Sequence, residues 1–134
     1  MELAVIPELL CSDIAITKDF YIRVLGFCIK YERVDERFVF LTRDGNDIMF
    51  EQADGPGRRW ITAELDVPFG RGINFECGVP EVGAFYDRVK RLAPCSVYLA
   101  LEQKMYQCGV EQIQQTQFVV QDPDGYLFRF CDAA

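Results

Sequence analysis

The chain has 134 residues, half of them hydrophobic and 26% charged, which suits one packed domain and argues against disorder. Its 14 Lys and Arg against 21 Asp and Glu give a net charge of −7, which argues against general binding to nucleic acid or to anionic membranes. The lack of histidine excludes serine–histidine and cysteine–histidine catalysis and imidazole-based metal sites.

The first part of the sequence predicts a strand, a helix and three more strands. Ser12 and Asp13 suit the cap of the helix, whose apolar residues recur at helical spacing, and Gly26 is placed to end it. Asp44-Gly45 predicts a tight turn. The predicted elements are a strand at 4–11, a helix at 14–25, and strands at 27–33, 37–42 and 47–52.

A glycine- and proline-rich segment at 53–59 begins a linker that reaches about residue 71. Beyond it the same order starts again. The predicted elements are a strand at 72–77, a helix from Pro80 and Glu81 through Leu92, two or three strands within 95–120, a turn at 121–125 and a strand at 126–131.

The two halves look like a repeat. Phe20-Tyr21 recurs as Phe85-Tyr86, and Asp44-Gly45 recurs as Asp124-Gly125. The two recurrences differ in spacing, which predicts an insertion near residues 98–112. Two similar supersecondary units are therefore expected, and chance similarity between two unrelated α+β halves is the alternative.

The six cysteines contain no C-x-x-C pair, and the N-terminal residues lack the charged and apolar regions of a secretion signal. No apolar run approaches the ~18 residues of a membrane span. We therefore expect a cytoplasmic protein with reduced thiols and no membrane partner. Cys108 is the one cysteine expected to be exposed, and without a histidine base it is not expected to be a nucleophile.

Several motifs resemble the vicinal oxygen chelate superfamily, also called the glyoxalase/bleomycin-resistance/dioxygenase superfamily. They are Cys11-Ser12-Asp13, Phe20-Tyr21, Leu25-Gly26-Phe27, residues 72–76 and residues 122–128. The resemblance implies an α+β fold in which two βαβββ modules form a concave half-barrel, paired in a homodimer. Module one would cover about 1–52, the linker about 53–71 and module two about 72–134 of a single domain.

Strand alternation then predicts which side chains face the concave surface. The residues expected to pack on the helices are Ile48, Phe50, Ile73, Phe75, Cys77, Phe128 and Phe130. Those expected to face inward are Ile6, Glu8, Leu10, Met49, Glu51, Gly72, Asn74, Glu76, Leu127 and Arg129. The predicted cavity thus holds three carboxylates among apolar residues, which suits a cationic ligand.

The resemblance also bears on metal binding. The superfamily's metal enzymes use four inward positions, which correspond here to Ile6, Glu51, Gly72 and Arg129. Only Glu51 has a side chain that binds a cation. The resemblance therefore implies no catalytic metal or other cofactor, and it is closest to the bleomycin-resistance branch, whose dimeric members sequester cationic drugs without chemistry.

No catalytic residue is predicted. The predicted ligand-binding residues are Glu8, Phe38, Glu51, Trp60, Asn74, Glu76 and Arg129. Glu51 would meet a cationic group of the ligand or pair with Arg129, and an exposed strand-end carboxylate is the alternative. Arg129 is either a cavity residue or an ion-pair partner across the sheet. Trp60 suits ligand stacking and a dimer contact equally. Phe38 shares a face with Phe40, where core packing is the favoured interpretation.

Three functions follow from these observations. The leading one is a small-molecule-binding protein of the antibiotic-resistance type, with a cationic or aromatic ligand. The alternative is a glyoxalase (lactoylglutathione lyase)-like or dioxygenase-like enzyme, in which Glu51 would serve as a general base. The third is an interaction module that keeps the fold for dimerisation alone.

Overall fold

The chain folds as two units of the same topology, and each contains one βαβββ module. The computed structural model describes residues 3–132, and the two units meet along the chain between Asp66 and Val67. This division lies inside the predicted linker. None of the helices in the described residues has the length and apolar character needed to cross a membrane.

The first module is a mixed four-stranded sheet with one helix. Its strand order is β1-β4-β3-β2, with β1 parallel to β4 and the other pairs antiparallel. The elements are β1 (Glu8–Cys11), α1 (Ile14–Asp19) with a π-helical turn at Phe20–Val24, β2 (Cys28–Arg33), β3 (Phe38–Arg43) and β4 (Asn46–Gln52).

Local side-chain chemistry explains where these elements begin and end. The Asp13 carboxylate accepts the N–H groups of Ala15 and Ile16 at 2.9 and 3.3 Å and so caps α1. Asp44 and Gly45 both have positive φ, at 49° and 82°, which is what a two-residue type I′ turn between β3 and β4 requires. Both predictions are confirmed.

The second module repeats this topology with strand order β5-β8-β7-β6 and β5 parallel to β8, which confirms the predicted repeat. The elements are β5 (Asn74–Val79), α2 (Val82–Leu92), β6 (Val97–Cys108), β7 (Glu111–Gln121) and β8 (Leu127–Asp132). β6 and β7 have 12 and 11 residues, against six each for β2 and β3. The insertion is therefore a longer hairpin.

In each module the helix covers one face of the sheet. The Tyr21 and Phe50 rings lie 4.7 Å apart, and Phe85 of α2 meets Phe118 and Phe130 at 5.4 and 4.9 Å. The predicted helix-facing residues Ile48, Phe50, Cys77, Phe128 and Phe130 are all buried. This pattern confirms the alternation of β4, β5 and β8.

Some predicted boundaries are wrong, and each error has a local cause. The first strand begins at Glu8, so Ile6 lies outside it. β5 begins at Asn74 because Gly70 and Gly72 have positive φ and the Ile73 N–H binds the Gly70 carbonyl at 2.9 Å, which makes a turn. Ile73 is consequently exposed and does not pack on the helix.

The start of α2 and the exposure of the cysteines also differ from the expectations. Pro80 and Glu81 precede α2 instead of forming its first turn, and Glu81 takes a left-handed conformation with φ of 49°. Cys108 is exposed as predicted, but Cys28 and Cys95 are exposed as well. The three remaining cysteines are buried, and none of the six forms a disulfide in the described structure.

Candidate functional site

The face of the first sheet opposite α1 holds a pocket of about 260 Å³. The residues that line it are Glu8, Leu9, Leu10, Arg33, Phe38, Met49, Phe50, Glu51, Arg58, Arg59 and Trp60. Four of the seven predicted ligand-binding residues are among them. Their role in binding remains a prediction, but the structure brings Glu8, Phe38, Glu51 and Trp60 to one place.

Strand register explains why these side chains converge. Glu51 of β4 lies opposite Leu10 of β1 on one side and opposite Phe38 of β3 on the other. Directly paired residues on neighbouring strands point to the same face of a sheet. Glu8 and Met49 form the next pair along the same face. Four of the residues predicted to face inward, Glu8, Leu10, Met49 and Glu51, therefore share this face of the sheet.

Phe38 and Phe40 are both buried, which confirms the favoured interpretation of core packing, and Phe38 lines the pocket as well. Val39 and Leu41 face the helix, and Phe38 and Phe40 face the other way, although all four are buried. The Arg33 guanidinium lies 3.9 Å from the centroid of the Phe38 ring. The sequence signal for this arrangement is the run of four apolar residues from Phe38 to Leu41, which is typical of a strand covered on both faces.

Part of the predicted linker covers this face. We call residues 53–60 the strap. The Ala53 N–H binds the Cys11 carbonyl at 2.8 Å, and the Gly55 N–H binds the Gln52 carbonyl at 3.0 Å. A Cβ at Gly57 would lie only 2.7 Å from Oε1 of Glu51. Glycine at position 57 therefore lets the strap backbone pass directly over the Glu51 carboxylate.

Glu51 is the most unusual group in the pocket. Its side chain is 12% exposed, and its Oε2 atom is buried with no hydrogen-bond partner among the described residues. The nearest cation is Arg59, whose Nη1 atom lies 3.7 Å from Oε2 and donates instead to the Gly57 carbonyl at 2.7 Å. Because 3.7 Å is beyond hydrogen-bond range, the carboxylate has an ionic neighbour but unused acceptor capacity.

The pocket carries charges of both signs, whereas the sequence placed only one cation, Arg129, on the inward face. Three arginines accompany the carboxylates of Glu8 and Glu51. Arg33 forms an ion pair with Glu36 at 2.7 Å, and Arg58 lies 5.2 Å over the ring of Trp60. The sequence Arg58-Arg59-Trp60 after the glycine-rich segment was the available signal, but irregular backbone gives no rule for where such side chains point.

The second module places Glu76 and Arg129 side by side. The Arg129 Nη2 atom lies 2.9 Å from the Glu76 carboxylate, and its Nη1 atom donates to Gln115 and Gln117 at 2.8 Å each. Arg129 is thus an ion-pair partner between neighbouring strands, as one of the two predicted roles required. Glu51 and Arg129 belong to different units, and each has an ion-pair partner within its own unit, so their pairing stays a prediction.

This network continues through Gln117, which is buried and which the sequence did not indicate. Its Nε2 atom donates to Glu102 at 2.9 Å and to the Tyr106 hydroxyl at 2.7 Å. Asn74, the remaining predicted residue, is exposed at the start of β5 opposite Leu127. The polar groups at the centre of this sheet are mutually satisfied, in contrast to Glu51.

Two titratable groups have shifted pKa values, Cys131 beside Glu76 in the second module and Asp54 in the strap. Burial raises the pKa of the Cys131 thiol, and the neighbouring Glu76 carboxylate adds to the effect. The hydrogen bond from Gln52, at 2.7 Å, lowers the pKa of the Asp54 carboxyl in the strap. Neither of these two groups lines the pocket, whereas Arg33 does, and its hydrogen bond to Glu36 raises its pKa.

The residues do not fit the metal that the superfamily's enzymes carry. Of the four corresponding positions, Ile6 and Gly72 have no donor atom, and the Arg129 guanidinium cannot bind a cation. Within residues 3–132 no group of three or more Cys, Asp or Glu side chains is arranged to hold a metal ion. Glu51 alone is not a divalent-metal site.

Comparisons with known proteins agree with this fold. The Glyoxalase/Bleomycin resistance protein/Dioxygenase superfamily matches residues 5–130. A member of that superfamily from Vibrio splendidus 12B01 is 46% identical over 98% of this chain and 100% of its own, with a TM-score of 0.46.

More distant structures are similar in fold. A bleomycin resistance determinant encoded on transposon Tn5 is 22% identical, with 98% of each chain covered and a TM-score of 0.64. The bleomycin-binding protein of Streptomyces verticillus, solved with copper(II)-bleomycin, is 15% identical over 100% of this chain and 98% of its own, with a TM-score of 0.61. No curated protein matches the chain.

Proposed function

Since the chain belongs to the Glyoxalase/Bleomycin resistance protein/Dioxygenase superfamily, we propose that it is a binding protein of the bleomycin-resistance type. In this proposal it holds a flat cationic ligand in the pocket of its first module, without a catalytic metal. The observation that carries the proposal is Glu51, a buried carboxylate whose Oε2 atom lacks a hydrogen-bond partner in the described residues. A buried charge without such a partner is costly to the fold and favours a donor supplied by a ligand.

The walls and the size of the pocket support a flat ligand. Phe38 forms one wall, and Trp60, which is 73% exposed, stands beside the pocket with the Arg58 guanidinium 5.2 Å from its ring centroid. Aromatic side chains offer large apolar area for stacking. The volume of about 260 Å³ lies below the roughly 300–1,000 Å³ usual for drug-sized ligands. The pocket therefore suits a small aromatic molecule or one end of a larger one such as bleomycin.

The alternative of a glyoxalase-like lyase or a dioxygenase-like enzyme has less support from the residues. Such an enzyme would need Glu51 as a general base, and a carboxylate in a pocket can serve that purpose. However, the four positions that hold the metal in the superfamily's enzymes offer one ligating side chain here. The chemistry of those enzymes therefore cannot be carried over to this chain residue by residue.

A homodimer is part of the proposal. The exposed apolar side chains of β6, Leu99, Leu101 and Met105, support a protein contact on the second module. Light scattering at micromolar concentrations should report about twice 15.4 kDa. A strict monomer at all concentrations would remove the dimer from the proposal.

The ligand class is tested with three probes of nearly one shape and different charge: benzamidinium, benzamide and benzoate. Because a ligand that binds only the folded state raises the melting temperature, benzamidinium should stabilise the protein most and benzoate least. EDTA should leave this order unchanged. Stabilisation by benzoate above benzamidinium would show that the arginines select the ligand, and the cationic assignment would be wrong. Titration with metal-free bleomycin, in the same buffer, tests the larger ligand.

A further inference from the structure

We propose that the pocket selects a planar cationic N–H donor, an amidinium or a guanidinium, and that Arg59 occupies the place of this group in the free protein. The inference rests on the proposed function. It names the ligand's binding group and identifies Arg59 as the residue that sets the pocket's affinity for it.

The strap surrounds Glu51 without satisfying it. The Arg59 Nη1 atom approaches the carboxylate to 3.7 Å, but its hydrogen bond goes to the Gly57 carbonyl at 2.7 Å. Arg59 thus compensates the charge of Glu51 without satisfying its Oε2 atom. A ligand with two parallel N–H groups could do both, because a carboxylate accepts a planar, two-donor cation in a bidentate geometry.

The other two arginines of the pocket lie against its aromatic rings. The Arg33 guanidinium lies over Phe38 at 3.9 Å, and that of Arg58 lies over Trp60 at 5.2 Å. The protein's own planar cations therefore rest on the two aromatic side chains beside the carboxylate. Aromatic faces attract cations, so this surface suits a flat group that carries an amidinium.

The contact between Arg59 and Glu51 is weak enough to be exchanged for a contact with a ligand. The Arg59 side chain is 22% exposed, and its ion pair with Glu51 has no direct hydrogen bond. At 3.7 Å the pair lacks the direct hydrogen bond that makes charged contacts strong, so it holds the Arg59 guanidinium only loosely. A ligand that makes the missing hydrogen bond would displace the guanidinium, so the strap competes with the ligand for Glu51.

The test is titration calorimetry of benzamidinium into the wild-type protein, Arg59→Gln and Glu51→Gln at 0.15 M salt. Arg59→Gln should bind roughly three- to fivefold more tightly, the size expected when a weak competing ion pair is removed, and Glu51→Gln should bind more weakly. Arg37→Gln is the matched control: it removes the same charge near the strap, where Arg37 lies 3.8 Å from Asp54 and does not line the pocket.

The outcomes separate the two proposals. A gain for Arg59→Gln that Arg37→Gln does not share supports the inference. Weaker or unchanged binding of benzamidinium by Arg59→Gln, or an equal gain in Arg37→Gln, overturns the inference about Arg59. In that case the proposed function still stands if Glu51→Gln weakens binding. If neither the wild type nor Arg59→Gln binds benzamidinium, both proposals are wrong. Benzamide, which has the same shape and no charge, should show no gain with Arg59→Gln.

Discussion

Replacement of Glu51 by glutamine separates the functional role of this residue from a structural one. Glu51→Gln keeps the shape of the side chain and removes its charge. A charge-assisted hydrogen bond contributes about 1.5–3 kcal/mol, so the affinity for benzamidinium should fall roughly tenfold to a hundredfold. Titration calorimetry of both proteins measures this difference directly.

The same substitution should have little effect on stability, because two contributions oppose each other. The ion pair with Arg59, at 3.7 Å between partly buried side chains, stabilises the fold by at most about 1 kcal/mol. The buried Oε2 atom without a hydrogen bond costs about 1–3 kcal/mol. Glutamine keeps a polar atom in that place, so the substitution removes only part of this cost, and the free energy of unfolding should stay within about 1 kcal/mol of the wild-type value in urea denaturation.

Two results would refute this reasoning. Unchanged affinity for benzamidinium would mean that the carboxylate does not contact the ligand. A loss of more than about 2 kcal/mol in stability would mean that Glu51 supports the strap through its charge and is a structural residue. Both measurements use one protein preparation, so a folding defect cannot be mistaken for a binding defect.

Two further predictions concern the fold. Gly125→Ala should destabilise the protein by at least about 2 kcal/mol, because Gly125 has φ of 111° and a Cβ there would collide with Pro68. Gly109→Ala is the control for backbone strain alone, because Gly109 has φ of 66° and open space around it. If urea denaturation gives equal losses, the collision is absent. Iodoacetamide should modify three thiols in the native protein, those of Cys28, Cys95 and Cys108, and all six after unfolding, as read by intact mass; modification of a buried cysteine without unfolding would contradict the burial.

The turns and caps could be predicted from the sequence because they depend on neighbouring residues alone. The Asp13 cap, the Asp44-Gly45 turn and the turn that follows Asp122 are of this kind. In the last, the Asp122 carboxylate accepts the N–H groups of residues 124, 125 and 126 at 2.9–3.0 Å. Such contacts need no knowledge of the rest of the fold.

The direction of Glu51 could be predicted because β4 alternates cleanly between buried apolar residues and partly exposed ones. The side of the sheet to which each β3 side chain points could not be predicted. Phe38 to Leu41 are all apolar, so the sequence shows no alternation of polar and apolar residues that would distinguish the two faces. The partner of Glu51 was also beyond prediction. Arg59 lies across the irregular strap, where no periodicity relates sequence distance to side-chain direction.

The long hairpin of the second module has a consequence for solubility. β6 ends its sheet, so within the described structure one side of this 12-residue strand has no neighbouring strand to take its backbone hydrogen bonds. Edges of this kind invite unwanted pairing with other chains. Register shifts between Val97 and Leu99 and between Leu99 and Glu102 interrupt the edge, and Lys104 adds a charge to it. These irregularities and this charge oppose pairing of β6 with other chains. A variant with a regular, uncharged β6 should therefore aggregate, and its soluble yield should fall before its ligand affinity can be measured.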